Sequence, residues 1–184
     1  MLKKIVWNED SVFSLQLRED LFTLVQMRRN HLMQFFVVRN STNEWAGTDL
    51  NAEYSLFYIF VAENRLKSLF VEKIETSLVT PSREPIPTLM LSAVIGNAGV
   101  HGAQLIELTP DYSSYGGRVV KDGLTVEHDL DLIYRHELCG MYGDPEKIRN
   151  RLLRYFDTGV NWDESKAFLF KGIQPPPHDF VKRE

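Results

Sequence analysis

Apolar and polar side chains alternate along three short segments near the start of the chain, and this pattern restricts the possible folds most strongly. The segments cover residues 11–17, 21–27 and 31–38. Alternation with a period of two places every second side chain on the same face of a strand. Short polar breaks at residues 18–20 and 28–30 separate the segments. Three strands joined by tight breaks predict an antiparallel β-meander.

Further apolar runs extend the β-rich pattern. The continuous run at residues 54–62 predicts a strand that is buried on both faces. Residues 68–74 form another candidate strand. Residues 89–95 and 104–108 also have strand character, and the glycine-rich stretch 96–102 between them predicts a turn.

A helix is predicted at residues 145–157. Asp144 is a suitable N-cap residue, and Pro145 suits the first helical position. Apolar residues then recur at helical spacing on one face: Ile148, Leu152, Tyr155 and Phe156. Gly159 follows where a left-handed residue often ends a helix.

Four other regions give weaker predictions. Residues 119–126 contain Asp-Gly and predict a hairpin centred on 121–123. Residues 129–138 fit either a strand or a helix, and residues 163–170 fit a short helix or a strand. Residues 174–184 begin with a run of prolines and predict an extended tail.

Length and composition complete the prediction of fold class. The chain has 184 residues, 43% of them apolar, which is enough for one core, and no low-complexity linker divides it. We therefore expect an α+β fold: one antiparallel, β-rich domain over residues 1–184, built as a meander of hairpins, with a capped helix towards the C-terminus.

Charge and cysteine content limit the partners and the compartment. The net charge is −4 and the isoelectric point is about 5.8, so nothing favours binding to a nucleic-acid backbone. No apolar run reaches the roughly 18 residues of a membrane span, and no signal-peptide pattern is present. The single cysteine, Cys139, excludes an intramolecular disulfide. We expect a cytoplasmic protein that binds neither nucleic acid nor membrane.

The densest set of possible metal ligands is His128, Asp129, Asp131, His136 and Glu137. One hypothesis is a small metal-dependent hydrolase that uses His128, Asp129, Asp131 and His136. The alternative is a charged face in water, because the zinc-protease spacing of two histidines is missing. We expect no catalytic residue, no metal and no cofactor.

A polar loop supplies the candidate partner-binding residues. Trp45 lies between Glu44 and Asp49 in a stretch rich in polar side chains. Tryptophan is frequent among the residues that dominate protein–protein binding energy, and the acidic neighbours would suit a basic partner. The alternative is that Trp45 folds back and covers the sheet.

The opening of the chain resembles the bacterial immunity protein 26 family. The resemblance rests on Val6-Trp7, on the strand at 10–17, on the second strand at 21–27 after a polar turn, and on Phe35-Phe36. It implies a β-rich protein encoded beside a toxin of a polymorphic toxin system. Such a protein binds its cognate toxin domain and neutralises it by occlusion, without catalysis. A structural or regulatory subunit with no toxin partner is a further alternative.

Overall fold

A computed structural model describes residues 5–96 and 99–178 of the chain. The fold is β-rich α+β with antiparallel sheets, which confirms the predicted fold class. Contacts group the residues into two compact units. The first unit takes in the chain up to Ile86 together with Met141–Leu153, and the second takes in Pro87–Gly140 together with the chain from Arg154 onward. The prediction of a single domain stays a prediction.

The first unit is built around a six-stranded sheet. Its elements are β1 (Val12–Arg18), β2 (Leu21–Met27), β3 (Leu32–Asn40), β4 (Thr48–Asp49), β5 (Ser55–Val61), β6 (Phe70–Ile74), β7 (Val79–Thr80) and β11 (Met141–Tyr142). The strand order in the sheet is β11-β5-β3-β2-β1-β6, and β4 pairs separately with β7. The β1–β2–β3 meander predicted from alternation is confirmed.

The register of three neighbouring strands places polar side chains in one row across the sheet. Gln26 of β2 lies opposite Gln34 of β3, which lies opposite Tyr58 of β5. Both glutamines are fully buried. Burying an amide is costly unless it is hydrogen-bonded, so this row needs partners from elsewhere in the unit.

The segment that follows β7 supplies those partners. Gln26 donates to Asp10 Oδ1 at 2.9 Å and to the Ser82 carbonyl at 3.0 Å, and its own Oε1 accepts from the Ser82 N–H at 2.7 Å. Gln34 donates to Ser55 Oγ at 2.6 Å and to Glu84 Oε2 at 3.2 Å. The two amides therefore fix residues 82–84 across the sheet.

Tyr58 and Arg28 complete this polar network. The Tyr58 hydroxyl donates to Glu84 Oε2 at 3.1 Å, and burial raises the pKa of the phenol, which keeps it protonated as a donor. Arg28 donates to Gln34 Oε1 and to the Glu84 carbonyl. The network joins three strands to the crossing segment.

The other face of the same sheet is apolar. Phe35 and Phe57 stack with ring centroids 4.5 Å apart, and the Arg151 guanidinium lies 3.8 Å above the Phe57 ring. Arg151 belongs to helix α2 (Pro145–Thr158), which also buries Ile148 and Leu152. The predicted helix at 145–157 is confirmed, with Asp144 Oδ1 accepting from the Glu146 N–H at 3.0 Å.

The second unit has a three-stranded sheet in the order β10-β9-β8. Its elements are β8 (Leu89–Gly96), β9 (Gly99–Glu107), β10 (Arg118–Lys121), α1 (Val126–Arg135) and α3 (Lys166–Leu169). A buried apolar cluster holds it together: Leu91, Ala103, Leu105, Leu124, Ile133, Leu138, Trp162, Phe170 and Ile173. On the outer edge of β8, Leu91 exchanges backbone hydrogen bonds of 2.8 Å with Glu137 and Cys139.

Three sequence predictions change in this unit. The turn predicted at 96–102 is too long, because β8 and β9 stay paired up to Gly96 opposite Gly99, and its tip at 97–98 lies outside the described residues. The hairpin predicted at 119–126 is wrong. Only its first half, in β10, is strand, and the chain then enters α1. That helix also resolves the choice left open at 129–138.

Local hydrogen bonds explain why Asp-Gly leads into a helix here. Asp122 Oδ1 accepts from the Gly123 N–H at 2.7 Å, and Gly123 is left-handed with φ of 60°. The Thr125 hydroxyl then accepts from the His128 N–H at 3.3 Å as the N-cap of α1. The cap therefore ends the hairpin pattern before a second strand forms.

Asp129 strengthens the same cap. Its carboxylate accepts from the Lys121 ammonium and, at 2.9 Å, from the Thr125 N–H. The hydrogen bond from Lys121, followed by that from Thr125, lowers the pKa of Asp129. The ionised carboxylate thus links the end of β10 to the start of α1.

Residues 166–169 form the short helix α3, one of the two structures expected at 163–170. Residues 174–178 have no regular secondary structure, and 179–184 lie outside the described residues. Among the helices described here, none is both long and apolar enough to span a bilayer.

Replacing Gln26 with Leu should destabilise the protein by about 1–3 kcal/mol, because the buried Ser82 N–H loses its acceptor. Urea denaturation followed by circular dichroism would measure this. Gln16→Leu is the matched control, since Gln16 is an exposed glutamine on the neighbouring strand. Equal stability of the two variants would contradict a structural role for the buried row.

Asn in place of Asp129 should lower stability at neutral pH, because the amide keeps the side-chain shape but loses the charge. The folded-state pKa lies below 3.8, so the carboxylate contributes stability above that pH and loses it as pH falls through the folded value. The gap between wild type and variant should therefore close in acid. Denaturation over a pH series tests this, with Asp131→Asn on the same helix as control, and a gap that persists in acid would refute it.

Candidate functional site

Trp45 does not form an exposed binding anchor. Only 4% of it is accessible, and its ring packs with Leu24, Phe36 and Leu50 in an apolar cluster on the sheet of the first unit. Its indole N–H donates to Asn43 Oδ1 at 2.9 Å. The structure thus matches the alternative, in which Trp45 covers the sheet, because burying a large apolar ring stabilises this face.

Glu44 and Asp49 are exposed on either side of that ring. Asp49 Oδ1 accepts from the Asn51 N–H at 3.0 Å and from the Asn51 amide at 2.7 Å, and these bonds lower the pKa of the Asp49 carboxyl. Both carboxylates are accessible to a partner, and their role in binding stays a prediction.

The suspected metal ligands are not brought together. Asp129 is bound by Lys121, Asp131 forms an ion pair of 2.8 Å with Arg135, and the exposed His128 faces Glu127 at 4.0 Å. His136 follows the last residue of α1 as its C-cap. Within residues 5–96 and 99–178, no three His, Cys, Asp or Glu side chains are placed to hold one ion. The hydrolase hypothesis therefore lacks the convergence that it required.

The loop between β9 and β10 is held by several internal hydrogen bonds, which join residues within 109–117. The Thr109 N–H donates to the Ser113 carbonyl at 3.0 Å, and the Tyr112 N–H donates to the Thr109 carbonyl at 2.8 Å. The Thr109 hydroxyl accepts from the Ser113 N–H at 3.0 Å. The Ser113 hydroxyl accepts from the Tyr115 N–H at 3.1 Å. These bonds hold the loop in one shape.

The same loop contains one residue with a strained backbone and one close backbone approach. Tyr112 has φ of 56°, a left-handed conformation that is uncommon for a tyrosine. Gly117 lies so close to β9 that a Cβ there would stand 2.8 Å from the Glu107 carbonyl oxygen. Strained residues that surrounding bonds hold in place are frequent at ligand-binding sites.

The loop presents one fully exposed aromatic side chain, Tyr115, of which 93% is accessible. Strand β10 follows directly, and all four of its residues are exposed, including Val119 and Val120. In the described part of the chain, β10 pairs with no strand other than β9. We refer to residues 109–117 together with β10 as the loop–edge surface.

The sequence segment from residue 107 to residue 137, which contains the loop–edge surface, carries a net negative charge. Between residues 107 and 137, seven acidic side chains stand against three basic ones: Glu107, Asp111, Asp122, Glu127, Asp129, Asp131 and Glu137 against Arg118, Lys121 and Arg135. The three basic side chains are all engaged by carboxylates of this same segment. Asp111, Asp122 and Glu127 remain exposed.

A cavity of about 450 Å³ opens beside the loop. Its walls include Glu107, Thr109, Pro110, Tyr112 and Arg118. Glu107 and Arg118 are cross-strand neighbours of β9 and β10 and form an ion pair of 2.6 Å. The cavity therefore has a carboxylate and an aromatic ring in its wall.

The composition of this loop was the signal that could have identified it. Residues 111–117 read Asp-Tyr-Ser-Ser-Tyr-Gly-Gly. Tyrosine combined with serine and glycine is typical of antibody binding loops, where tyrosine gives a large contact area at low entropic cost. The sequence instead favoured Trp45 as the binding residue, but its apolar surroundings bury it.

Comparison with known proteins places the chain in a family without assigning an activity. No curated protein and no solved structure matches it. A family model described as a domain of unknown function, DUF8309, matches residues 2–175. Since this match covers most of the sequence, the chain belongs to the DUF8309 family.

Proposed function

We propose that this chain is a non-catalytic binding protein of the bacterial cytoplasm that neutralises a cognate toxin domain by occlusion. The single observation that carries the proposal is Tyr115, a 93% exposed aromatic side chain on a loop that its own hydrogen bonds hold rigid. Tyrosine is strongly enriched among the residues that dominate protein–protein binding energy.

Rigidity of the loop supports binding. Ordering a flexible loop at an interface costs free energy, and a loop that is already fixed avoids this cost. The Thr109 and Ser113 hydroxyls accept hydrogen bonds from backbone N–H groups of the loop, so its shape is set before any partner arrives. A tight stoichiometric complex benefits from this preorganisation.

The chemistry of the surface supports a basic protein as partner. Exposed carboxylates at Asp111, Asp122 and Glu127 accompany the exposed Val119 and Val120. A stable interface buries roughly 1,200–2,000 Å², so the contact has to extend from the loop along β10 and beyond it. The resemblance of the first strands to immunity protein 26 is the reason for choosing a toxin domain as the partner.

The adjacent upstream gene is the first place to look for the partner. We expect co-expression of this chain to restore growth of cells that express the C-terminal domain of that gene's product. The purified pair should form a 1:1 complex by size-exclusion chromatography with light scattering. Absence of both the rescue and the complex, or a stable oligomer of this chain that buries β10, would contradict the proposal.

Replacing Tyr115 with Ser should weaken that complex by about 30-fold or more, because an interface residue of this type contributes roughly 2 kcal/mol. Titration calorimetry would measure the change, and the melting temperature should stay the same because the ring is exposed. Tyr54→Ser is the matched control, since Tyr54 is an exposed tyrosine in the first unit. Equal affinity of the two variants would exclude the loop from the interface.

A further inference from the structure

The Glu107 carboxylate in the cavity beside the loop has unused capacity to accept hydrogen bonds. Arg118 donates to it from Nε at 3.2 Å and from NH2 at 2.6 Å, and both bonds end on the same oxygen, Oε2. A carboxylate offers about four acceptor positions over its two oxygens. The ion pair with Arg118 thus leaves Oε1 for another donor, and 41% of the Glu107 side chain is accessible.

The rest of the cavity wall suits a long side chain that ends in a cation. Leu108, Pro110 and Tyr112 provide apolar and aromatic surface for an aliphatic stem, and the volume of about 450 Å³ falls within the range of small-ligand sites. Cations also interact favourably with the face of an aromatic ring. Exposed Asp111 on the same loop adds negative charge nearby.

An anion is a poorer fit to the same cavity. The only basic side chain among its lining residues is Arg118, and its Nε and NH2 groups already donate to Glu107. The excess of carboxylates between residues 107 and 137 also disfavours a second negative charge.

We infer that this cavity is a specificity pocket for an arginine or lysine side chain, with Glu107 as its acceptor. The inference rests on the proposed function, because the side chain would come from the bound partner. The partner would carry a basic residue that projects from the partner's surface and enters the cavity. Tyr115 would contact the partner's surface around that residue.

The pocket can be tested on the isolated full-length chain by nuclear magnetic resonance. The probe is N-acetyl-arginine amide, and the matched probe is N-acetyl-citrulline amide, which has nearly the same shape without the charge. We expect the arginine probe to shift backbone amide signals of residues 107–118 and to bind about tenfold more tightly than citrulline. Equal binding of the two probes, or shifts located elsewhere, would overturn the inference.

Two substitutions with opposite expected effects separate this role from simple damage to the fold. Glu107→Gln should weaken binding of the arginine probe by about tenfold. Arg118→Gln should strengthen it, because the cation that shares Glu107 is removed. Glu75→Gln, at an exposed carboxylate of the first unit, should change nothing. Weaker binding in both cavity variants would indicate a structural effect and overturn the inference. Competition of inorganic phosphate with the arginine probe would also overturn it.

The outcomes distinguish this inference from the proposed function. Failure of the arginine probe together with intact neutralisation by the Glu107→Gln variant would overturn the pocket and leave the binding function standing. Selective binding of the arginine probe without any toxin complex would support the pocket and count against the proposed function.

Discussion

The register in which β10 pairs with β9 is the constraint on which the candidate site depends. Arg118 of β10 lies opposite Glu107 of β9. The chain therefore has to reverse direction within residues 108–117 and come back alongside β9. The close approach of Gly117 to the Glu107 carbonyl makes that return possible, because a larger side chain would collide there. Loop shape, cavity and ion pair all follow from this one strand pairing.

The polar network of the first unit also depends on strand register, and it serves the structure. Gln26, Gln34 and Tyr58 form a row because three strands pair in register, and the row is satisfied by partners on the crossing segment. Each bond joins two parts of the first unit, and Glu84 Oε2 accepts from several donors at once. A network that uses its polar groups to hold backbone segments together supports the fold more directly than it supports chemistry.

The sequence predicted those parts of the fold in which a local pattern and tertiary packing agree. Alternation in β1 and β2 predicted their strands, although β2 is buried on both faces, and the cap at Asp144 predicted α2. The Asp-Gly at 122–123 predicted a hairpin that does not form, because the same dipeptide suits both a hairpin turn and the residues before a helix. The choice depends on Asp129, whose bonds to Lys121 and Thr125 form only in the folded unit.

The candidate site was harder to predict than the strands, because a local sequence pattern shows neither burial nor loop conformation. The polar residues next to Trp45 in the sequence suggested that its side chain is exposed. Its burial depends on a sheet face whose residues come from distant strands. The value of Tyr115 depends on the conformation of its loop, because an exposed tyrosine is a useful contact only when its loop is rigid. That rigidity comes from bonds within 109–117, and the sequence offered only the loop's composition as a sign of it.

The placement of charge on β10 disfavours one mode of self-association. An edge strand that is exposed on both faces can pair with another copy of itself, and proteins often prevent this with charged side chains. Arg118 and Lys121 stand at the two ends of β10, so antiparallel pairing of two copies about the centre of the strand would bring like charges opposite each other. A partner whose basic side chains lie opposite the exposed carboxylates, and not opposite Arg118 and Lys121, would avoid this repulsion. The two cations therefore disfavour this antiparallel pairing of β10 with a second copy.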